Sequence, residues 1–351
     1  MRNGLVIPNR SVLAAMTNKQ SHDDGTLSED EINFLHRRSV GGFGIITTAA
    51  SHVQESGQGW DGEFGVWSDH HLPGLTTLAT KLREGESRSF VQLFHGGMRA
   101  PSAITGKQPC SASENFISQK EGVSRALTTK EVEETVLAFI HAAKRCETAG
   151  FDGIELHGAH GYLIAQFLGS NTNRRNDRYG GDVHARCNFL IEIIRGIREV
   201  VAPEFAIMVR LSPVSDDIGI TLDDTKKVIG FLIKEEIDAI HISCWDVFEV
   251  QPNGKSITKE ICSMFSNSIP IVSTGSVWTA KDAQFVLDEG AQAVGVARVA
   301  LPHPDWAKRV PDAEYRPSQP PFTPEELLRA NLSPTFVEYM RRWKGFVTDG
   351  R

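Results

Sequence analysis

Short apolar runs alternate along this chain with longer segments that carry apolar residues on one face only. The short runs span Ser11–Thr17, Gly44–Ala50, Ser89–Phe94, Gly153–His157, Ala206–Leu211, Ala239–Ser243, Pro270–Thr274 and Ala293–Ala297. Bounded by turn residues and this brief, they read as strands. Eight strands alternating with helices are what an α/β (β/α)8 TIM barrel needs.

Helix starts are written between the strands. A Ser or Thr oxygen accepts from an orphan amide, and an acid three residues on bonds back to the cap. Ser28 with Glu31, Thr128 with Glu131, Thr221 with Asp224, Thr279 with Asp282, and Thr323 followed by Pro324 with Glu326 fit that spacing. From Glu131 to Ala149, the residues Val132, Val136, Phe139, Ile140 and Ala143 share one face, which predicts a helix. Each helix follows a strand, as a parallel sheet requires.

Two connections are longer than a minimal barrel needs. Gly96 to Thr128, rich in Ser, Pro and Gly, predicts a long β3–α3 loop or small cap over one mouth. Gly169 to Asp182, "GSNTNRRNDRYGGD", predicts a second polar loop. Both leave the C-terminal ends of strands, the face that holds barrel active sites. Pro302 to Pro321 reads as a crossing, so the expected organisation is a barrel over residues 1–310 and a C-terminal tail or helix over 311–351, packed on the barrel or on a neighbouring subunit.

Composition narrows the chemistry. A formal net charge of −7 over 351 residues, with no basic stripe, speaks against nucleic acid as a partner. No run of about 18 apolar residues occurs and the N-terminus lacks a signal-peptide core, so no membrane association and a cytoplasmic location are expected. The five cysteines, at 110, 146, 187, 244 and 262, lack C-x-x-C spacing and are expected to be reduced, mostly buried thiols. A small molecule is the expected partner.

The stretch "ELHGAHGYLIAQFL", Glu155 to Leu168, places His157 at the end of the fourth strand and His160 and Tyr162 in the turn beyond. Glu155 and His157 share one face by the two-residue period. A metal would need a third ligand at a characteristic spacing, which is missing, so no metal is expected. The remaining reading is a donor pair that grips an oxygen, with a phenol beside it as an acid.

Arg210 lies inside the apolar run "IMVRLS", where an unpaired guanidinium would cost several kcal/mol, so it must face an anion or an electron-rich acceptor. Gln92 in "FVQLFHGG" has donors and an acceptor for the edge of a heterocycle. The seventh strand runs into Gly275 and Ser276 and the eighth into Ala297 and Arg298. The loops after those strands commonly bind phosphate in barrels, through backbone amides and a bidentate arginine.

Taken together, "HGAHGYLIAQFL…NTNRRNDRYGGD", "VLAAMT", "VQLFHGG", "VRLS" and "GVAR" resemble the Old Yellow Enzyme family, the FMN-dependent NADH:flavin oxidoreductases and ene-reductases, over nearly the whole chain. The resemblance implies that Ala15, Met16 and Thr17 line the flavin, with Thr17 on the O4 side, and that Ala50 touches it. Gln92 would pair with the pyrimidine edge and Arg210 would sit by N1 and O2, while Gly275, Ser276, Ala297 and Arg298 would bind the phosphate. His157 and His160 would hold the carbonyl oxygen of an activated alkene, and Tyr162 would give the proton. NADH or NADPH would reload the flavin in the same pocket. The tail "VEYMRRW" resembles the branch in which an arginine, here matched by Arg341, enters a neighbouring subunit, which implies a homo-oligomer, a dimer or tetramer.

The chain departs from that branch at three places. Thr17 stands where a cysteine is common, Lys19 where a tyrosine lines the substrate pocket, and Ala297 where a glycine precedes the phosphate arginine. Two other functions compete: a barrel lyase or isomerase acting on a phosphorylated small molecule, and an FMN-binding protein without ene-reductase turnover. An ordinary basic helix end is the competing account of Arg341.

Overall fold

The structure, a computed structural model, describes residues 1–349. Eight parallel strands close into a barrel: β1 Ser11–Leu13, β2 Ile45–His52, β3 Arg88–Phe94, β4 Gly153–Gly158, β5 Ala206–Leu211, β6 Ala239–Ser243, β7 Ile271–Thr274 and β8 Ala293–Val296. Each strand pairs with its sequence neighbours, and β8 closes on β1. The surrounding helices are α1 Glu29–Val40, α2 Leu72–Glu84, α3 Thr129–Ala149, α4 Val183–Val200, α5 Leu222–Leu232, α6 Ile257–Phe265 and α7 Ala280–Asp288. In α3, all five predicted face residues are buried.

All five predicted cap residues accept from the amide three positions on. The reciprocal bond forms for Glu131, Asp282 and Glu326 only. Glu31 instead turns inward, where Asn18 Nδ2 reaches it at 2.8 Å, and Asp224 pairs with Arg186 at 3.3 Å. The first strand is shorter than expected. Ala14 still donates to Val296 at 2.9 Å, but Ala15, Met16 and Thr17 have left the sheet for the mouth.

The inward-facing positions explain where a site can form. Successive side chains alternate across a strand, so one parity of each lines the interior. At the N-terminal end that parity is apolar: Val12, Ile45, Phe90, Ala206, Met208, Ala239, Val272 and Ala293 form a separate buried cluster, plugged by Met1, Leu5 and Ile7. Towards the C-terminal end it turns polar, with Gln92, Glu155, His241 and Thr274 in one layer and His157, Arg210 and Ser243 nearer the mouth. The larger apolar core lies outside, between the sheet and its helices.

The long connection after β3 forms a small cap in which Cys110–Ser111 pairs with Arg125–Ala126 and Phe116–Ser118 with Gly122–Val123. The second polar loop fastens it. Arg175 donates to Ala112 O at 2.9 Å and bonds Asp177, and Arg174 reaches Asn115 Oδ1 at 3.0 Å; Asn173 braces the loop itself through the Phe167 and Tyr179 carbonyls at 2.7 Å. At the C-terminal end, α8 Pro324–Arg329 and α9 Pro334–Met340 lie against the barrel, where Phe336 meets Phe34 edge-on at 5.2 Å and Ser333 N donates to Gln20 at 3.0 Å. All five cysteines are free and buried, and no described helix is long and apolar enough to cross a membrane.

Candidate active site

A chain of hydrogen bonds floors the site. Gln92 Nε2 donates to Glu155 Oε1 at 2.6 Å, the other carboxylate oxygen lies 2.6 Å from His241 Nδ1, and His241 Nε2 meets Thr274 Oγ1 at 2.6 Å. Gly295 leaves room for this, since a Cβ there would fall 1.7 Å from Thr274 Oγ1. Burial pushes the Glu155 carboxyl upward, but His241, with Arg210 and Gln92 behind it, outweighs burial and holds it below its ordinary pKa. Burial also lowers His241, against the opposing pull of Glu155.

Arg210 stands one layer above. Its Nη2 donates to Ser243 Oγ at 3.1 Å and its Nη1 to Ala15 O at 3.3 Å, while Nε has no partner among the described residues. Burial lowers the Arg210 pKa and Glu155 opposes that. Ser243 Oγ also lies 2.8 Å from His160 Nε2. Because Arg210 already donates to it, Ser243 is free to give its own proton to that nitrogen, which leaves Nδ1–H of His160 as a donor.

The three rings of the β4 end converge. The centroids of His157 and His160 are 5.0 Å apart at 86°, and those of His157 and Tyr162 are 5.1 Å apart. Phe94 stands edge-on to Tyr162 at 4.5 Å and Trp60 packs behind Phe94 at 5.3 Å, which makes an apolar wall. His157 is buried, and its Nδ1 has no partner among the described residues. Burial drives its pKa well below the ordinary value. Burial, then Arg210 and Arg99, also lowers His160, and its exposure at the rim lets water offset part of this. Burial raises the Tyr162 phenol. At neutral pH the site therefore holds two neutral imidazoles and a protonated phenol.

Residues outside the expected set hold these groups in place. Gln166 donates to Gly161 O at 2.8 Å and Gly96 O at 3.2 Å and accepts from Met98 N at 3.1 Å, tying the turn that carries Tyr162 to the loop after β3. His241, Ser243 and Thr274 were legible only as polar residues inside apolar runs, the signal that marked Gln92 and Arg210. Arg38, fully buried on α1, donates to Ala300 O at 3.0 Å and Leu301 O at 2.8 Å, which pins the single turn Arg298–Ala300 after β8.

The remaining expected residues occupy the mouth. Ala15, Met16 and Thr17 are half-buried, and Ala50, in register with Gln92, is buried. Thr274 pairs with Gly295, so Gly275–Ser276 and Ala297–Arg298 leave adjacent strands at one level. Ser276 and Arg298 are exposed. A Cβ on Gly275 would lie 2.6 Å from Cys244 O, so backbone packing already demands that glycine. Lys19 lies 5.8 Å from the Tyr339 ring. Arg341 is bound within its own chain, to Glu338 at 2.9 Å and Asp349 at 2.6 Å.

The chain as a whole is similar to known proteins. The family described as "NADH:flavin oxidoreductase / NADH oxidase" matches residues 3–316. The chain is similar to the probable NADH-dependent flavin oxidoreductase YqiG of Bacillus subtilis (strain 168), 33% identical over 324 residues that cover 90% of this chain and 87% of that one. It is also similar to an NADPH dehydrogenase of Clostridium acetobutylicum, 31% identical over 309 residues, 86% of this chain and 89% of the relative. Among solved structures, morphinone reductase in complex with tetrahydroNAD superposes with a TM-score of 0.78 at 26% identity, covering 93% of this chain and 92% of the other. The residues present suit the family's FMN, with NADH or NADPH as reductant. The unpartnered Arg210 Nε and His157 Nδ1 mark a polar floor open to a ligand, and Arg298 at the β7–β8 corner makes no ion pair among the described residues.

Proposed function

Because this chain belongs to the NADH:flavin oxidoreductase / NADH oxidase family, we propose that it is an ene-reductase that uses NAD(P)H to reduce the C=C bond of a small activated alkene such as an α,β-unsaturated carbonyl compound. The observation that carries this is the convergence of His160 and Tyr162 on His157, with centroids 5.0 and 5.1 Å from its own, at the end of β4. FMN, when bound, would supply the two-electron hydride chemistry that links the nicotinamide to the β-carbon of the alkene.

The chain's own groups do the rest. Gln92, Arg210, Ala15, Met16, Thr17 and Ala50 would hold the flavin ring, while Gly275, Ser276, Ala297 and Arg298 would take the phosphate. His157 and His160 donate to the substrate oxygen, which draws charge off the alkene. Tyr162, kept protonated by burial, gives its proton to the α-carbon, so one hydride and one proton saturate the bond. The working unit is a homo-oligomer, in which Arg341 must release Glu338 and Asp349 to reach a neighbour.

The test is anaerobic. The FMN-loaded protein should bleach with NADH or NADPH and recover its oxidised spectrum on addition of 2-cyclohexenone. A flavin that bleaches but that no activated alkene reoxidises would remove the ene-reductase reading and leave the family assignment standing.

A further inference from the structure

Three cations that the proposed reaction does not use lie against Tyr162 and its neighbour Tyr339. Arg99, on the loop after β3, lies 4.7 Å over the Tyr162 ring. Arg342, just past α9, donates to the Tyr339 hydroxyl at 2.9 Å and lies 5.1 Å from that ring, and Lys19 approaches the same ring from the loop after β1. Tyr339 and Arg342 are both near enough to act on the Tyr162 phenol. Among the described residues none of the three cations forms an ion pair, whereas the adjacent Arg341 has two acids. This occurs in a chain whose acids outnumber its bases, 44 to 37. Glu63, an acid that also acts on the Tyr162 phenol, is buried, lies 3.4 Å from His52 and accepts from the Gly59 amide at 2.6 Å.

Lys19 is presented by a built turn. Its φ of 59° is left-handed, a conformation that costs a non-glycine residue on the order of 1 kcal/mol and persists where the surroundings impose it. Here they do. Gln20 N donates to Asn18 Oδ1 at 3.0 Å, Asn18 Nδ2 to the buried Glu31, and Ser21 N to Gly62 O at 3.0 Å. A Cβ on Gly62 would lie 2.5 Å from Lys19 O. Two of the other left-handed non-glycine residues, His160 and Ser276, stand on loops of the same mouth. Strain of this kind concentrates where a side chain must be held toward a ligand.

We propose that Lys19, Arg99 and Arg342 form an anion-binding rim, and that the preferred substrate carries a carboxylate on the end remote from the oxygen held by His157 and His160. This rests on the ene-reductase reading above. Each exposed ion pair is weak alone and screened by salt, but three that converge on one carboxylate select for it over a neutral group of equal size.

The FMN-loaded full chain is titrated with 4-hydroxybenzoate and with the neutral isostere 4-hydroxybenzamide, the phenol oxygen of each serving the two histidines, and flavin absorption reports binding. The carboxylate should bind roughly three- to tenfold more tightly at low ionic strength. That advantage should fade toward about 1 M salt, and should shrink in Lys19→Gln and Arg342→Gln while amide binding holds. Equal Kd values at low salt would overturn the rim and spare the ene-reductase reading, because the amide still binds. If neither compound perturbs the flavin, both fall. Variants that keep the carboxylate preference but raise the KM for NADH or NADPH would give the rim to the nicotinamide's phosphates, and so overturn it as a substrate site.

Discussion

Gln92, Glu155, His241 and Thr274 form a hydrogen-bonded chain inside the barrel, whereas His157 and Arg210, one layer nearer the mouth, keep buried nitrogens with no partner among the described residues. Both layers are polar, both are built from the same inward parity, and both are shielded by the same sheet. The lower layer bonds mainly within itself and so serves the fold, with Gln92 alone shared with the proposed cofactor site. The upper one is incomplete without something else, because a buried polar group left unpaired costs about 1–3 kcal/mol. Opposite charges join the layers, since Glu155 helps Arg210 stay charged and Arg210 helps Glu155 stay ionised.

The sharpest break between the layers should come at Tyr162. Tyr162→Phe should slow alkene reduction by about 10²- to 10⁴-fold in single-turnover experiments while flavin reduction by NAD(P)H keeps its rate, since only the first step needs the proton. Equal losses in both half-reactions would show that the ring packs rather than donates. In the lower layer the expected loss is of stability. Glu155→Ala strands Gln92 and His241 and leaves Arg210 without its counter-charge, and should cost roughly 3–5 kcal/mol in urea unfolding. A midpoint within error of the parent would mean that this hydrogen-bonded chain contributes nothing to the fold.

The barrel was legible because its signals are local: each strand is a short apolar run and each helix begins with its own cap. The end of β1 was not, because Ala15 to Thr17 are as apolar as a strand and leave the sheet only to reach the mouth. Glu31 shows the same limit, as its spacing from Ser28 fits a capping box and only the third dimension brings Asn18 and Ser21 to it. His241 was in plain view within "AIHIS", yet its role depends on a partner 86 positions away. The most specific motif of the resemblance divides in two. His157, His160 and Tyr162 face the mouth, while Arg174 and Arg175 fasten the cap and Asn173 braces its own loop, so sequence likeness alone did not separate chemistry from architecture.

The histidines give the comparison a pH signature. Burial lowers His71 and His95 to about 3 and His157 by a large amount. An unfolded histidine takes up its proton near pH 6.5 while these do not, so the unfolded state binds more protons between those values. Their contribution is present above about pH 6.5 and is lost as pH falls toward 3, at up to about 1.4 kcal/mol per pH unit for each group. Glu31 works in the other direction: burial raises it to about 7, so its contribution declines as pH rises from about 4.5 to 7. Because the histidines outnumber it, thermal midpoints should fall from pH 7 to pH 5. A rise over that interval would contradict neutral burial of the histidines.

The smallest expected effects concern the phosphate corner, where the chain has Ala297 in place of the family's glycine. Arg298 is exposed and carries a full charge toward the proposed phosphate, and a charge-assisted contact is worth about 1.5–3 kcal/mol. Arg298→Gln should therefore raise the Kd for FMN by roughly ten- to a hundredfold, measured by equilibrium titration of the apoprotein. Ala297 has a φ of −127°, outside the left-handed region where only glycine is at ease. Its methyl group therefore imposes no glycine-specific strain on the turn, and Ala297→Gly should change the same Kd by less than about twofold. A large gain in affinity from that substitution would mean that the methyl group, rather than the backbone, keeps the phosphate at a distance.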